Sequence, residues 1–440
     1  MNTKTFSGGI HPLPWLKQGK KPTDNEPIRA FVSDTVCIPL DMHIAAAPSK
    51  PLVKKGDRVL VGQLIGEAVG PRGVNVHASV SGEVLEVGPK QQLGASPSVC
   101  VTIQNDFQDE WVALQGLGNV ETCDADKIIP AIRDAGIVGM GGAGFPTHFK
   151  LMVPPEKKVD TIILNGAECE TFLNADHRLM AEKALRVVDG LRAAMRATGV
   201  ERGLIAIEDN KPDAISAISR AAQGRMGVSV VPLKTKYPQG GEKQLIKAAA
   251  GREVPSGGLP ADAGVIVLNV STAAAIADAV IDGKPLVERV TTVTGAVRKP
   301  ANLLLRIGTI YLDAIGECGG YSGEPGKIIS GGTMTGIAAP SDLVSVTKTN
   351  NGILVLDEKT AKSLTESACI RCGRCLEACP MKLDPYKLKN LCDANKLDEA
   401  KENHIMDCML CGSCSYVCPA HRWIMASIKN GRDLISARRK

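Results

Sequence analysis

Eight cysteines near the C-terminus fall into two runs, CIRCGRCLEACP and CMLCGSCSYVCP, that repeat one spacing. Cys369, Cys372, Cys375 and Cys379 precede Pro380; Cys408, Cys411, Cys414 and Cys418 precede Pro419. Three thiols at two-residue intervals, with a fourth just before a proline, wrap a polynuclear iron–sulfur centre. Zinc sites normally use two separated pairs, and disulfide frameworks need an oxidising compartment. The opening MNTKTFSGGIHPLPW lacks an apolar core segment, so no signal peptide is expected.

The spacing C-x-x-C-x-x-C-x-x-x-C-P is similar to that of bacterial-type ferredoxins, where three thiolates hold one 4Fe-4S cluster and the fourth reaches the other. That resemblance implies one cluster on Cys369, Cys372, Cys375 and Cys418, and a second on Cys408, Cys411, Cys414 and Cys379. A chain so equipped moves electrons singly.

A ferredoxin alone does not account for 440 residues, and three or four domains are expected. Aromatic residues are only 3% of the chain while 45 are glycine, so packing rests on Val, Ile, Leu and Ala around tight turns. A net charge of +5 with a basic end is too mild to argue for nucleic acid. The longest apolar stretch, Ala263 to Ile281, is interrupted by Asn269, Ser271, Thr272 and Asp278; it reads as strand, turn and helix, and no transmembrane helix is expected. The six other cysteines, Cys37, Cys100, Cys123, Cys169, Cys318 and Cys392, are expected to be buried apolar groups.

Residues 1–106 alternate short Val and Ile runs with Gly, Pro and Asp turns. Two similar halves, VKKGDRVLVGQLIGEAVG and VHASVSGEVLEVGPK, resemble the barrel-sandwich fold of biotinyl and lipoyl carriers without the modified lysine, which implies docking or scaffolding. From Asp126 the period becomes helical, with Asp124 or Asp126 able to cap, and apolar strands at 159–166, 202–209, 227–233 and 264–269 then alternate with helical patterns. Residues 107–285 are therefore expected to form a Rossmann-like α/β domain with a parallel sheet, including one helix striped by Met180, Ala184, Val187, Leu191 and Met195. Residues 286–350 resemble a soluble ligand-binding β-grasp module, and 351–440 form the helical double-cluster domain. The expected class is multidomain, mixing α/β and α+β.

In GIVGMGGAGFPTHFK, five glycines within nine residues allow consecutive amides to face an anion. The loop follows a helix and lacks G-x-G-x-x-G, so it is no dinucleotide fingerprint. NGAECETF follows the next strand and puts Asn165, Glu168 and Glu170 where open α/β sheets bind ligands, although a capped, acidic helix start would use the same residues.

Together GGAGFPTHFK and NGAECE resemble the flavin-binding subunit of respiratory complex I. That resemblance implies non-covalent FMN with NAD(H) as substrate. It makes Gly139, Gly141, Gly142, Gly144 and Phe145 the phosphate and nucleotide loop, sets Lys150 and Asn165 on the flavin, and lines the NADH side with Glu168 and Glu170. Glu242 in YPQGGEKQLI and Asn269 in VLNVSTAAAIADAV extend the match; Met140 and Ala167 depart from it, standing where complex I has Arg and Asp.

The order of domains, opening on FSGGIHP, is similar to the RnfC subunits of the Rnf complexes. The family implies a ferredoxin:NAD oxidoreductase component with two 4Fe-4S clusters, peripheral on the cytoplasmic face of the inner membrane. Its implied partners are an iron–sulfur subunit and membrane subunits that move sodium or protons, ferredoxin indirectly, and NAD(H), with no nucleic acid. A non-enzymatic relay or scaffold with a vestigial flavin site, or a microcompartment cobalamin reductase, would share parts of the pattern.

Overall fold

The computed structural model describes residues 3–12 and 19–438. The apolar runs of the middle region form a wholly parallel sheet ordered Val228–Leu233, Arg202–Glu208, Thr161–Gly166, Val265–Asn269. They are uninterrupted because both faces are covered. Ile162, Leu164, Ile205 and Ile266 pack with residues of helices Ala184–Thr198 and Val270–Ala277, whereas Ile163, Leu204 and Val267 meet helix Glu242–Ala250. Each fully buried Leu or Ile contributes about 1.5–3 kcal/mol. In chain order the sheet runs third, second, first, fourth. The crevice of such a sheet opens between its first and fourth strands, where the winding reverses.

The stripe expected on one helix is divided. Lys183 breaks it into Ala175–Glu182 and Ala184–Thr198, so Met180 belongs to the first. The break lets Ala175–Glu182 lie against helix Pro212–Ala221 and strand Glu288–Gly295 while Ala184–Thr198 packs along Val270–Ala277. Asp124, rather than Asp126, caps the turn before helix Ile128–Asp134.

Upstream, strands Thr35–Pro39, Ser98–Asn105, Gly82–Lys90 and Arg58–Val59 form one antiparallel sheet, and Lys50–Pro51, Leu64–Glu67 and Val76–His77 a second. Val36, Ile38, Ile65, Val84 and Ile103 fill the shared core.

The β-grasp sheet has six strands, and two lie outside the expected limits of 286–350. Gly352–Asp357, expected in the cluster domain, runs between Glu288–Gly295 and Pro325–Ser330, where its apolar ILVL is covered on both sides. Ile28–Phe31, expected in the first domain, pairs in parallel with Ala301–Arg306 and covers that edge. The module thus closes on strands drawn from both ends of the chain.

The C-terminal domain shows its duplication in the backbone. Arg371 and Leu410 have φ of 57° and 56°, Gly373 and Gly412 both 77°, and Lys382 and His421 55° and 52°. Equivalent thiols therefore leave equivalent turns. Near the N-terminus, Lys4 bridges to Leu233, Ile10 pairs with Tyr237, and the Gly9 amide donates to the Ala378 carbonyl, so one segment touches both the parallel sheet and the C-terminal domain.

Candidate functional site

The strand ends that flank the reversal carry two asparagines in register, Asn165 and Asn269. Asn165 donates to the Gly240 carbonyl and accepts from the Ala167 amide. Asn269 caps helix Val270–Ala277 through the Ser271 amide and donates to Asp176, whose other oxygen accepts from Ser271. Between them opens a cleft whose walls include Gly141, Glu168, Glu170, Asp176 and Tyr237.

The glycine loop forms the rim. Gly139 closes it by donating to the Phe145 carbonyl. Gly141 lies so close to Asn269 that a Cβ there would stand 2.6 Å from Nδ2, while Gly142 faces open space. Among the described residues, the amides of Gly141, Gly142 and Ala143 have no partner within the chain. Three successive free amides suit an anionic ligand. Gly144 has φ 78° and approaches the Met42 carbonyl and Thr349, and Phe145 stacks edge-on to Phe149.

Several expected site residues are already held by partners within the chain. Glu168, with φ 47°, accepts from the Asp176 and His177 amides and so caps helix Ala175–Glu182, as the helix-start reading of NGAECETF anticipates. Burial pushes its carboxyl up to about 7. Glu170 accepts from the Met334 and Thr335 amides and the Thr335 hydroxyl, which ties it to the β-grasp module, and burial raises its pKa too. Lys150 and Glu242 pair with each other at 2.9 Å. Met140, fully inside, donates its amide to Thr272, and the Ala167 carbonyl accepts from buried Lys211. Asp176 and Tyr237 carry no signal that singles them out in the sequence; Tyr237 stands in the YPQGGE segment, three residues before Gly240, which faces Asn165.

The cysteines gather in crossed quartets. Cys369, Cys372, Cys375 and Cys418 line one cavity with Ile370, Leu376 and Ile424; Cys379, Cys408, Cys411 and Cys414 line another with Leu388, Met425 and Ile428. Among the described residues no three ligating side chains converge on a single-ion site; the quartets surround volumes instead. Four thiols around an apolar volume fit a cluster. Cys411 and Cys414 are buried while Cys372 is exposed, and Cys411 with Met409 also lines the cleft between Asn165 and Asn269. All fourteen cysteines are free, and Cys169 and Cys392 are half-buried rather than buried as expected.

Family models match in the same order along the chain: the RnfC barrel sandwich hybrid domain over residues 4–108, the Nuo51 FMN-binding domain over 132–278, the SLBB domain over 290–338 and a 4Fe-4S dicluster domain over 357–423. The RnfC subunit of the Na(+)-translocating ferredoxin:NAD(+) oxidoreductase complex of Acetobacterium woodii is 47% identical over the whole of both chains. The chain belongs to the RnfC family. The counterpart in the proton-translocating complex of Clostridium ljungdahlii is 48% identical over 91% of this chain and 87% of its own. A crystal structure of an NAD+-reducing NiFe-hydrogenase in the air-oxidized state superposes with a TM-score of 0.51 at 20% identity, covering 73% of this chain and 62% of that one. At that identity the likeness concerns the fold alone. Most of the residues lining the cleft between Asn165 and Asn269 fall within the FMN-binding match, while Thr335, Asn351, Met409 and Cys411 reach it from the segments that follow.

Proposed function

We propose that this chain is the NAD(H)- and FMN-binding subunit of a membrane-bound ferredoxin:NAD+ oxidoreductase, relaying single electrons between FMN and two 4Fe-4S clusters and coupled through partner subunits to sodium or proton movement. The observation that carries the reading is the adjacency of the two sites: Tyr237 and Cys411 line one cleft, and the Tyr237 hydroxyl donates to the Cys411 carbonyl at 2.7 Å. When bound, FMN supplies hydride exchange with a nicotinamide and one-electron exchange with iron–sulfur centres.

The chain's own residues bind, orient and exclude water. The free amides of the glycine loop would hold the flavin phosphate, and Asn165 and Asn269, each fixed by its own partners, would present polar groups to the flavin without reorganising. Glu170, pinned by Met334 and Thr335, would border the nicotinamide side. No side chain is required as acid, base or nucleophile.

The crossed quartets support cross-ligation, with the Cys379 quartet inward and the Cys369 quartet outward. Exposed Cys372 shares its cavity with exposed Ile370 and Leu376, and Arg371 and Arg374 are exposed too, which suits a protein partner at that rim. No helix among the described residues is long and apolar enough to cross a membrane, and the subunit is read as peripheral on the cytoplasmic face.

Anaerobic purification followed by flavin and iron assay tests the whole reading, with NADH to ferricyanide turnover as the activity. We expect about eight irons and one flavin per chain. Brown protein with full iron, no flavin and no reaction with NADH would overturn it in favour of a relay or scaffold.

A further inference from the structure

We infer that the β-grasp module supplies, through Arg289 and Lys348, the positive charge that holds the flavin phosphate on the glycine loop. This rests on the flavin reading above and goes beyond it by giving the module a task at that site. Arg289 lies on strand Glu288–Gly295 and is 2% exposed. Its Nη1 donates to the carbonyls of Met140 and Lys348 at 3.3 and 2.6 Å and its Nε to that of Val290, while Nη2 has no partner among the described residues. Lys348 is 1% exposed, and its Nζ donates to the carbonyls of Gly136 and Asn75 at 2.7 Å each.

Neither cation has a carboxylate within salt-bridge distance among the described residues. Asp176, the acid that acts on Arg289 at longer range, is already held by Asn269 and Ser271. Burial lowers the pKa of both groups, Lys348 to about 7, so their positive charge is favoured only when an anion stands near. Both grip carbonyls of the very loop whose amides at Gly141, Gly142 and Ala143 lack partners. Carbonyls drawn toward the cations leave those amides for a ligand. A phosphomonoester dianion would satisfy the amides and balance the buried charge together.

The test uses the full chain stripped of flavin and titrated with FMN and with riboflavin, which lacks the phosphate, following flavin fluorescence. Arg289→Met should weaken FMN binding roughly tenfold to a hundredfold and leave riboflavin binding unchanged. Lys348→Met should act in the same direction, and Arg289→Lys should recover part of the FMN affinity. Iron content and cluster spectra report whether each variant is folded; should Arg289→Met fail to incorporate iron, Arg289→Lys and Lys348→Met carry the same comparison. Parallel loss of FMN and riboflavin, or FMN binding equal to wild type, would overturn the inference. Wild-type chain that binds neither flavin would instead overturn the flavin reading itself.

Discussion

The Tyr237 hydroxyl donates a hydrogen bond of 2.7 Å to the carbonyl of Cys411, joining a loop of the flavin domain to a thiol ligand loop 174 residues away. Tyr237 is 2% exposed and packs with Ile10, Ala378 and Cys411. Cluster potentials depend on nearby hydrogen bonds and solvent exposure. Tyr237→Phe removes a donor beside the inner quartet and leaves a buried carbonyl unpaired, at about 1–3 kcal/mol. The inner cluster should become harder to reduce while the outer keeps its potential. An anaerobic redox titration followed by electron paramagnetic resonance checks this; two unshifted potentials would refute it.

Cross-ligation makes a prediction that runs against sequence neighbourhood. Cys418→Ala should disturb the cluster on Cys369, Cys372 and Cys375, and Cys379→Ala the one on Cys408, Cys411 and Cys414. If Cys418→Ala instead alters the spectrum assigned to the Cys408 quartet, each motif holds its own cluster.

Gly141 admits no Cβ without moving Asn269, which is tied to Asp176. Gly141→Ala should therefore cost about 1–3 kcal/mol of overpacking at the cleft. Flavin content should fall severalfold while iron stays at the wild-type level. A variant with full flavin would show that Asn269 moves freely.

Glu168 adds a pH dependence. Burial pushes its carboxyl from about 4.5 to about 7 in the folded chain, despite two amide donors and nearby Lys20. The folded state thus holds a proton that the unfolded state releases first. The resulting stabilisation is present below about pH 4.5 and is lost as pH rises through about 7. Across that window wild type should lose thermal stability relative to Glu168→Gln, in anaerobic melts from pH 5 to 8. Parallel curves would mean that Glu168 is ionised throughout.

At the outer rim, Arg371→Glu with Arg374→Glu should slow reduction by an acidic iron–sulfur protein, most strongly at low salt, without changing NADH to ferricyanide turnover. Stopped-flow rates across a salt series make the comparison. Equal loss of both activities would indicate damage to the cluster rather than to docking.

Sequence periodicity reveals the parallel sheet well, because strands buried on both faces leave unbroken apolar runs such as IIL at 162–164 and VIVL at 265–268. The cysteine quartets are equally legible, since their chemistry resides in spacing. Partnerships across domains are not. Glu168 and Glu170 look alike in NGAECETF, yet one caps a local helix and the other reaches Thr335, a contact that no local pattern encodes. Gly352–Asp357 misleads for the same reason: a short apolar run does not name its neighbours, and this one joins the β-grasp sheet rather than the cluster domain.

The extended segment from Lys4 to Ile10 has a consequence for how the protein is made. Its partners at Leu233, Tyr237 and Ala378 leave the ribosome hundreds of residues after it. Domains that form during synthesis would therefore be complete before this lace is tied. Its closure would wait for them, bringing the flavin and cluster halves into register only after Ala378 has emerged.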